Sequence, residues 1–213
     1  MRDLKCPRCG SADVARNGSI MSPLGRVQRY RCKACSKFFH PSLRTVTPPP
    51  LVEAFLDIEA SSLDASFGHV ISWALKIRGG PAKCDYIRRL SLAEERRVLS
   101  SLLRELKAVD LVYTYYGTRF DIPFLRSRCL HHGLPFPKYL DLYHRDVYYI
   151  AKSRLRFHST RLEAVAEMLG VEGKTKVAPR VWSAASFGDK DAIRVILEHN
   201  LGDVEVLERV YDK

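Results

Sequence analysis

The chain has 213 residues, a formal net charge of +11 and 46% hydrophobic residues. That is enough for one domain of ordinary size and a small one, and no run approaches the roughly 20 apolar residues of a membrane span. The first residues, Met1 to Cys6, lack the apolar core of a signal peptide, so a soluble, cytoplasmic protein with no membrane partner is expected.

The charge is unevenly placed. Residues 1–50 hold ten Lys/Arg against two Asp, a net +8, whereas residues 51–213 hold 25 against 22, a net +3. A small basic module beside a near-neutral domain points to a polyanion partner, most simply nucleic acid. Basic surface that merely aids solubility is the plainer alternative.

Residues 1–41 contain Cys6-Pro7-Arg8-Cys9 and Cys32-Lys33-Ala34-Cys35. Two Cys-x-x-Cys knuckles at this separation have the spacing of a structural zinc site, in which Cys6, Cys9, Cys32 and Cys35 close a tetrahedron around one Zn²⁺. Four thiolates on a dication would leave the module about +6. So short a segment lacks the core to be stable alone, so the metal would supply its folding energy. Two disulfides are the alternative, and nothing in the sequence indicates the oxidising compartment they need. Arg26, Arg29, Arg31, Lys33 and Lys37 interleave with Tyr30, Phe38 and Phe39 and could track phosphates and stack on bases. Tyr30 and Phe38 are instead expected in the module's own small core. Residues 42–50, ending Pro48-Pro49-Pro50, read as a stiff linker.

Phe55-Leu56-Asp57-Ile58-Glu59 reads as a buried strand interrupted by two acids. Strand alternation puts Asp57 and Glu59 on one face and Leu56 and Ile58 on the other. Paired carboxylates in an apolar strand are costly unless neutralised, and a hard divalent cation is the usual partner. A strand end with two solvated acids is the plainer reading. Ser61 to Asp64 then make a turn, residues 67–77 a second strand, and residues 84–87 a short third. Cys84 and Cys129 read as ordinary buried thiols.

Ser91-Leu92-Ala93-Glu94 is a capping box that opens a helix with Leu99, Leu102, Leu103 and Leu106 on one face. Leu111 to Tyr115 form another strand. In Tyr116-Gly117-Thr118-Arg119-Phe120-Asp121-Ile122-Pro123 a Gly turn leads into a helix, with Asp121 at its N-terminus and an N-cap role open to it. Residues 141–151 read as helical. Thr160-Arg161-Leu162-Glu163 is a second capping box, for a helix that Gly170 stops. The loop Gly173-Lys174-Thr175-Lys176 lacks the glycine pattern of a phosphate-binding loop. The last helix spans about 189–210 and carries His199 and Asp203 four residues apart on one face, a spacing usually seen in surface pairs.

Two resemblances follow from these stretches. Cys6 to Ser11, Asn17-Gly18, Gln28 to Cys35 and Phe38-Phe39 resemble a zinc ribbon of transposase-like and transcription-related proteins. Phe55 to Glu59, Tyr115 to Leu125 and His199 to Leu207 resemble, in order, the three motifs of the DnaQ-like 3′→5′ exonucleases, the DEDD superfamily of the ribonuclease H-like fold. Within that group the look is that of the family B DNA polymerase proofreading domain and its stand-alone relatives. Ile71 to Ala74 and Leu140 to Leu142 resemble connecting segments there.

The exonuclease resemblance implies an α/β, ribonuclease H-like mixed sheet flanked by helices over 51–213, preceded by the small zinc ribbon. It implies a metal-dependent 3′→5′ exonuclease in which Asp57, Glu59, Asp121 and Asp203 hold two Mg²⁺ or Mn²⁺ ions and His199 is general base. The substrate would be single-stranded or frayed DNA or RNA 3′ ends, with Leu63 or Phe67 wedged against terminal bases and Tyr116 in contact with the strand. Arg29, Arg31 and Lys33 of the ribbon would anchor nucleic acid, or the ribbon would meet a protein partner. The chain departs from the group in three places. Three residues separate His199 from Asp203, where the group has Tyr with three residues between or His with four, Ala60 stands where Thr often follows the first motif, and Tyr116 replaces an Asn. A non-catalytic nucleic-acid-binding adaptor and a structure-specific endonuclease are the alternatives.

Overall fold

The computed structural model describes residues 4–22, 25–40, 50–138, 141–173 and 175–213. The chain falls into two compact units, Met1–Pro50 and Leu51–Lys213. The linker expected over 42–50 lies, except for Pro50, outside the described residues, as do Leu140 and Lys174.

The first unit is a three-stranded antiparallel sheet, β1 (Val14–Ser22), β2 (Gly25–Cys32) and β3 (Phe38–Phe39), in that order. Each cysteine knuckle closes with a residue in the left-handed region four positions after its first Cys: Gly10 at φ 72° and Ser36 at φ 59°. Directly opposed strand residues share a face. Tyr30 opposes Phe39, and the two rings stack at 6.1 Å. Phe38, expected in this core, therefore points away and is 48% exposed, flanked by the guanidiniums of Arg29 and Arg31 at 5.1 and 5.8 Å.

The second unit is built on a five-stranded mixed sheet of order β6-β5-β4-β7-β8. The strands are β4 (Glu53–Ala60), β5 (Val70–Ile77), β6 (Ala82–Tyr86), β7 (Leu111–Thr114) and β8 (Tyr143–Asp146). β4 is antiparallel to β5 and parallel to β7, which is parallel to β8. Six helices accompany them: α1 (Leu92–Leu106), α2 (Asp121–His131), α3 (Val147–Arg154), α4 (Leu162–Met168), α5 (Pro179–Ser186) and α6 (Lys190–Tyr211). Among the described residues no helix is long and apolar enough to cross a membrane.

β4 is apolar on both faces because both are covered. Ala54, Leu56 and Ile58 pack into one core with Trp73, Leu99, Leu102 and Leu125. Phe55 packs into a second with Tyr113, Val165 and Leu207. α6 serves both: Ile193 and Ile196 enter the first core, and Val204, Leu207 and Val210 the second. The stretch between them, residues 199–203, lies alongside the end of β4. Opposite the Glu59–Ala60 bond, β5 carries one extra residue, Ile71, so the pairing register shifts there.

Ser91 caps α1 as expected, its hydroxyl accepting from Glu94 N–H, and Asp189 caps α6. Two expectations fail. Residues 141–151 are not one helix: a four-residue strand, β8, runs straight into α3 with Asp146 as the cap between them. Strands this short leave no readable alternation, so the helix pattern of 147–151 extends backward over them. Thr160 caps nothing. α4 starts one residue later, after Arg161, with no side-chain cap, and Thr160 uses its carbonyl to accept from Tyr115 O–H at 2.6 Å.

Candidate functional site

The candidate site lies where β4 ends against the middle of α6. The alternation of β4 turns Asp57 and Glu59 to the same face as Phe55, and both are half-buried. One turn of α6 separates His199 from Asp203, so the two side chains stack on the face that meets β4. His199 Nε2 lies 4.0 Å from Glu59 Oε1 and 3.8 Å from Asp203 Oδ2. One donor atom from each of these three residues falls within 4.8 Å of the others. The four-residue spacing that reads as a surface pair is thus a convergent one.

Asp57 and Asp121 stand outside that cluster and beside it. Asn200, fully buried on α6, donates from Nδ2 to Asp57 Oδ2 at 2.6 Å and accepts from Ser72 O–H at 3.1 Å. Ser72 in turn lies opposite Glu59 on β5. Asp121 is the first residue of α2, and its carboxylate does not cap that helix. β7 pairs with β4 only as far as Phe55, and Asp121 takes over beyond it, Oδ1 accepting from Ile58 N–H at 3.1 Å. Asp121 is 3% exposed. Burial pushes its carboxyl up to about 7 against the pull of the Asp121 and Ile58 N–H groups, and the charge of Asp146 adds to the rise.

Asp146 holds the turn that leads to Asp121. Its two carboxylate oxygens accept from Tyr116 N–H at 2.8 Å and Thr118 N–H at 2.9 Å, and Oδ1 also accepts from Tyr148 N–H. The turn needs this anchor, because Tyr116 sits at φ 67°, where side chains other than glycine are strained. Gly117 cannot be exchanged for it: a β-carbon there would lie 2.2 Å from Thr114 Oγ1. His199 is held from its other side, Nδ1 lying 2.7 Å from Thr175 Oγ1 and its ring edge-on to Trp182 at 5.9 Å.

The donor set suits a divalent cation. Octahedral metal–oxygen bonds of about 2.1 Å place neighbouring ligand atoms roughly 3.0 Å apart and opposite ones roughly 4.2 Å apart. The separations of His199 Nε2 from Glu59 and Asp203, 4.0 and 3.8 Å, fall between these limits. Glu59 and Asp203 offer the hard oxygens that Mg²⁺ and Mn²⁺ take, with the His199 imidazole beside them. A cation would also relieve the mutual repulsion of Asp121 and Asp146.

In the first unit, Cys6 Sγ lies 3.5 Å from Cys35 Sγ, and Cys9 Sγ lies 3.6 Å from Cys32 Sγ. Tetrahedral Zn–S bonds of about 2.3 Å place sulfurs about 3.8 Å apart, so the four cysteines fit one Zn²⁺. Burial disfavours the charged form of Cys6, but the Cys9 and Arg8 N–H groups outweigh it and pull the thiol down to about 6. The ribbon's cations are in part engaged: Arg29 donates to Asn17 twice, and Lys33 pairs with Asp13 at 3.1 Å. Arg31 donates to Ser36 Oγ.

Leu63 and Phe67, the wedge candidates, are 88% and 87% exposed in the loop after β4. Tyr116 is 46% exposed. Sequence reasoning missed Asn200, Ser72, Asp146 and Thr175. Asn200 adjoins His199 within the third motif, which is the one local signal that could have found any of them.

Comparison with known proteins places both units. Residues 3–36 match the InsA N-terminal domain, a zinc ribbon. No curated protein sequence matches the chain. The fold is shared by 275 solved chains, a breadth that by itself assigns no function. Among them is the family B DNA polymerase of the hyperthermophilic archaeon Pyrobaculum calidifontis, at 22% identity and a TM-score of 0.65. The match covers 78% of this chain and 24% of that polymerase, so the likeness is one of fold over a quarter of its length. Residues 54–213 match the RNase H superfamily model. That span takes in the acid-bearing strand, the turn to Asp121 and the closing helix alike, and the chain belongs to the RNase H superfamily.

Proposed function

We propose that the protein is a metal-dependent 3′→5′ exonuclease that removes nucleotides from single-stranded or frayed DNA or RNA ends, with residues 1–41 as a zinc ribbon that anchors nucleic acid. The observation that carries this reading is the convergence of Glu59, His199 and Asp203 within 4.8 Å at the end of β4, with Asp57 and Asp121 beside them. Asp57, Glu59, Asp121 and Asp203 would hold two Mg²⁺ or Mn²⁺ ions. Bound there, such ions supply acidity to a water and offset charge on the leaving 3′ oxygen.

The chain's own residues do the rest. In the tautomer whose Nδ1–H donates to Thr175 Oγ1, His199 would offer Nε2 as the general base that takes the proton from water. Asn200 fixes Asp57. Asp146 fixes the turn before Asp121. The ribbon adds sequence-independent, salt-sensitive affinity through Arg29, Arg31 and Lys33. Four cysteines reserved for zinc fit a reducing compartment such as the cytoplasm.

The test is degradation of 5′-labelled linear DNA and RNA with Mg²⁺ or Mn²⁺, with Asp57→Ala as control. A ladder shortening from the 3′ end and absent in the variant is expected. Metal-dependent cleavage of circular DNA would replace the reading with an endonuclease. Binding without cleavage of any linear substrate would replace it with a non-catalytic adaptor.

A further inference from the structure

One cavity of about 670 Å³ is separate from the acid cluster, and Tyr115, Tyr116, Tyr148, Phe157, His158 and Arg161 contribute to its lining. Its size falls within the roughly 300–1,000 Å³ of small-ligand sites. Tyr148 meets the cavity's two other tyrosines edge-on, Tyr116 at 4.9 Å and Tyr115 at 5.9 Å. Tyr115 and Phe157 rest on the second core, the core of the β4 face that carries Asp57 and Glu59. The cavity opens at the carboxyl ends of β7 and β8, and the acids lie at the carboxyl end of β4, parallel to both. In open α/β sheets ligands bind along this edge.

Two features argue against mere packing. Tyr116 is the most exposed of the aromatic residues in the cavity and is held in the left-handed region by Asp146. A turn needing only its shape would take glycine or asparagine there at no strain. Strain retained to present an aromatic ring has a use outside the turn. The second feature is charge. Residues 152–161 hold Lys152, Arg154, Arg156 and Arg161, all exposed, and no acid. In a unit whose net charge is only +3, these four cations are a local concentration beside exposed rings. Cations for phosphate beside rings for bases is the composition of a strand-binding surface.

We propose that this cavity is a base-binding site. An unpaired base of the substrate strand enters it and stacks on Tyr116, against Tyr148 and Phe157, while Arg156 and Arg161 meet the flanking phosphates. The proposal takes nucleic acid as ligand from the nuclease reading, and it sets the register of the strand relative to the acids.

The experiment is an abasic scan. Fluorescein-labelled single strands of twelve nucleotides, each lacking one base at a different distance from the 3′ end, are bound to the full chain with zinc and without added Mg²⁺ or Mn²⁺. Anisotropy reports affinity. The wild type should lose about tenfold at one position and little elsewhere, the size of a single base stack. Tyr116→Gly, which removes the ring and relaxes the backbone, should lose about tenfold on the intact strand and show no position effect. A flat scan in the wild type, or a scan unchanged by Tyr116→Gly, overturns the proposal. The wild-type scan needs no variant to fold, and ribbon contacts to phosphate cannot create a single sensitive position. A sensitive position without metal-dependent cleavage would sink the nuclease reading and leave the base site standing. Cleavage with a flat scan would do the reverse.

Discussion

Asn200→Ala should uncouple Asp57 from the rest of the fold. Two bonds vanish with the amide: the 2.6 Å donation to the Asp57 carboxylate and the acceptance from Ser72. A hydrogen bond to a charged group contributes about 1.5–3 kcal/mol, and a buried hydroxyl left without its acceptor costs about 1–3 kcal/mol. A loss of about 3 kcal/mol is expected, a Tm drop of about 6–12 °C for a unit of this size. The assay is urea unfolding by tryptophan fluorescence. Both tryptophans, Trp73 and Trp182, lie in the larger unit, so the signal is that unit's and not the ribbon's. The decisive quantity is the cycle of Asn200→Ala, Asp57→Ala and the double variant. Because the amide meets the carboxylate directly, the coupling should be about 1.5–3 kcal/mol. Additivity within about 0.5 kcal/mol would refute the assignment of Asn200 as the residue that positions Asp57.

Three further outcomes are expected. Co²⁺ substituted into the ribbon should give the absorption of a tetrahedral thiolate site, lost in Cys32→Ser, with the tryptophan unfolding curve unchanged. His199→Gln should lower turnover about 10²–10³-fold with little change in stability. A smaller loss from the variant would remove His199 from the proton transfer. Glu95 is 1% exposed and accepts from Arg128, His132 and Val70 N–H. Burial raises its pKa, but these donors outweigh burial and hold it below the ordinary 4.5. A depressed carboxylate contributes stability that is complete above about pH 4.5 and is lost as pH falls through the lower folded value. Stability should therefore drop more steeply between pH 5 and 3 in the wild type than in Glu95→Gln, and parallel curves would count against the network.

The parts of the site legible in the sequence are those whose chemistry is local. Two cysteines three apart state their geometry without the fold, and so does Asp-x-Glu in an apolar strand. His199 and Asp203 share a helix face by spacing alone. Asn200, Ser72 and Asp146 are different: each acts through a partner brought near by folding, 143 residues away for Asn200 and Asp57. An amide in an amphipathic helix carries no mark of that. Asp121 does stand at a helix start, but its carboxylate serves Ile58 N–H, which β7 is too short to reach, and not the helix end. The length of a neighbouring strand is not written in the segment that compensates for it. α5 escaped for a different reason: at eight residues its stripe of Val181, Trp182 and Ala185 spans barely more than one turn, too little to read as a period.

The extra residue in β5 opposite Glu59 and Ala60 separates what evolution is free to vary from what it is not. Upstream of it, which acid faces which core is a matter of parity. One residue gained or lost within β4 would exchange the positions of Ile58 and Glu59 and drive carboxylates into the tryptophan core. Downstream, the register has already slipped, and the loop carrying Leu63 and Phe67 inherits no parity from the strand. That loop can lengthen, shorten or be grafted without turning the acids over. Changes in substrate preference among relatives of this chain should therefore accumulate as insertions and deletions between residues 61 and 68, while residues 53–60 keep a constant count.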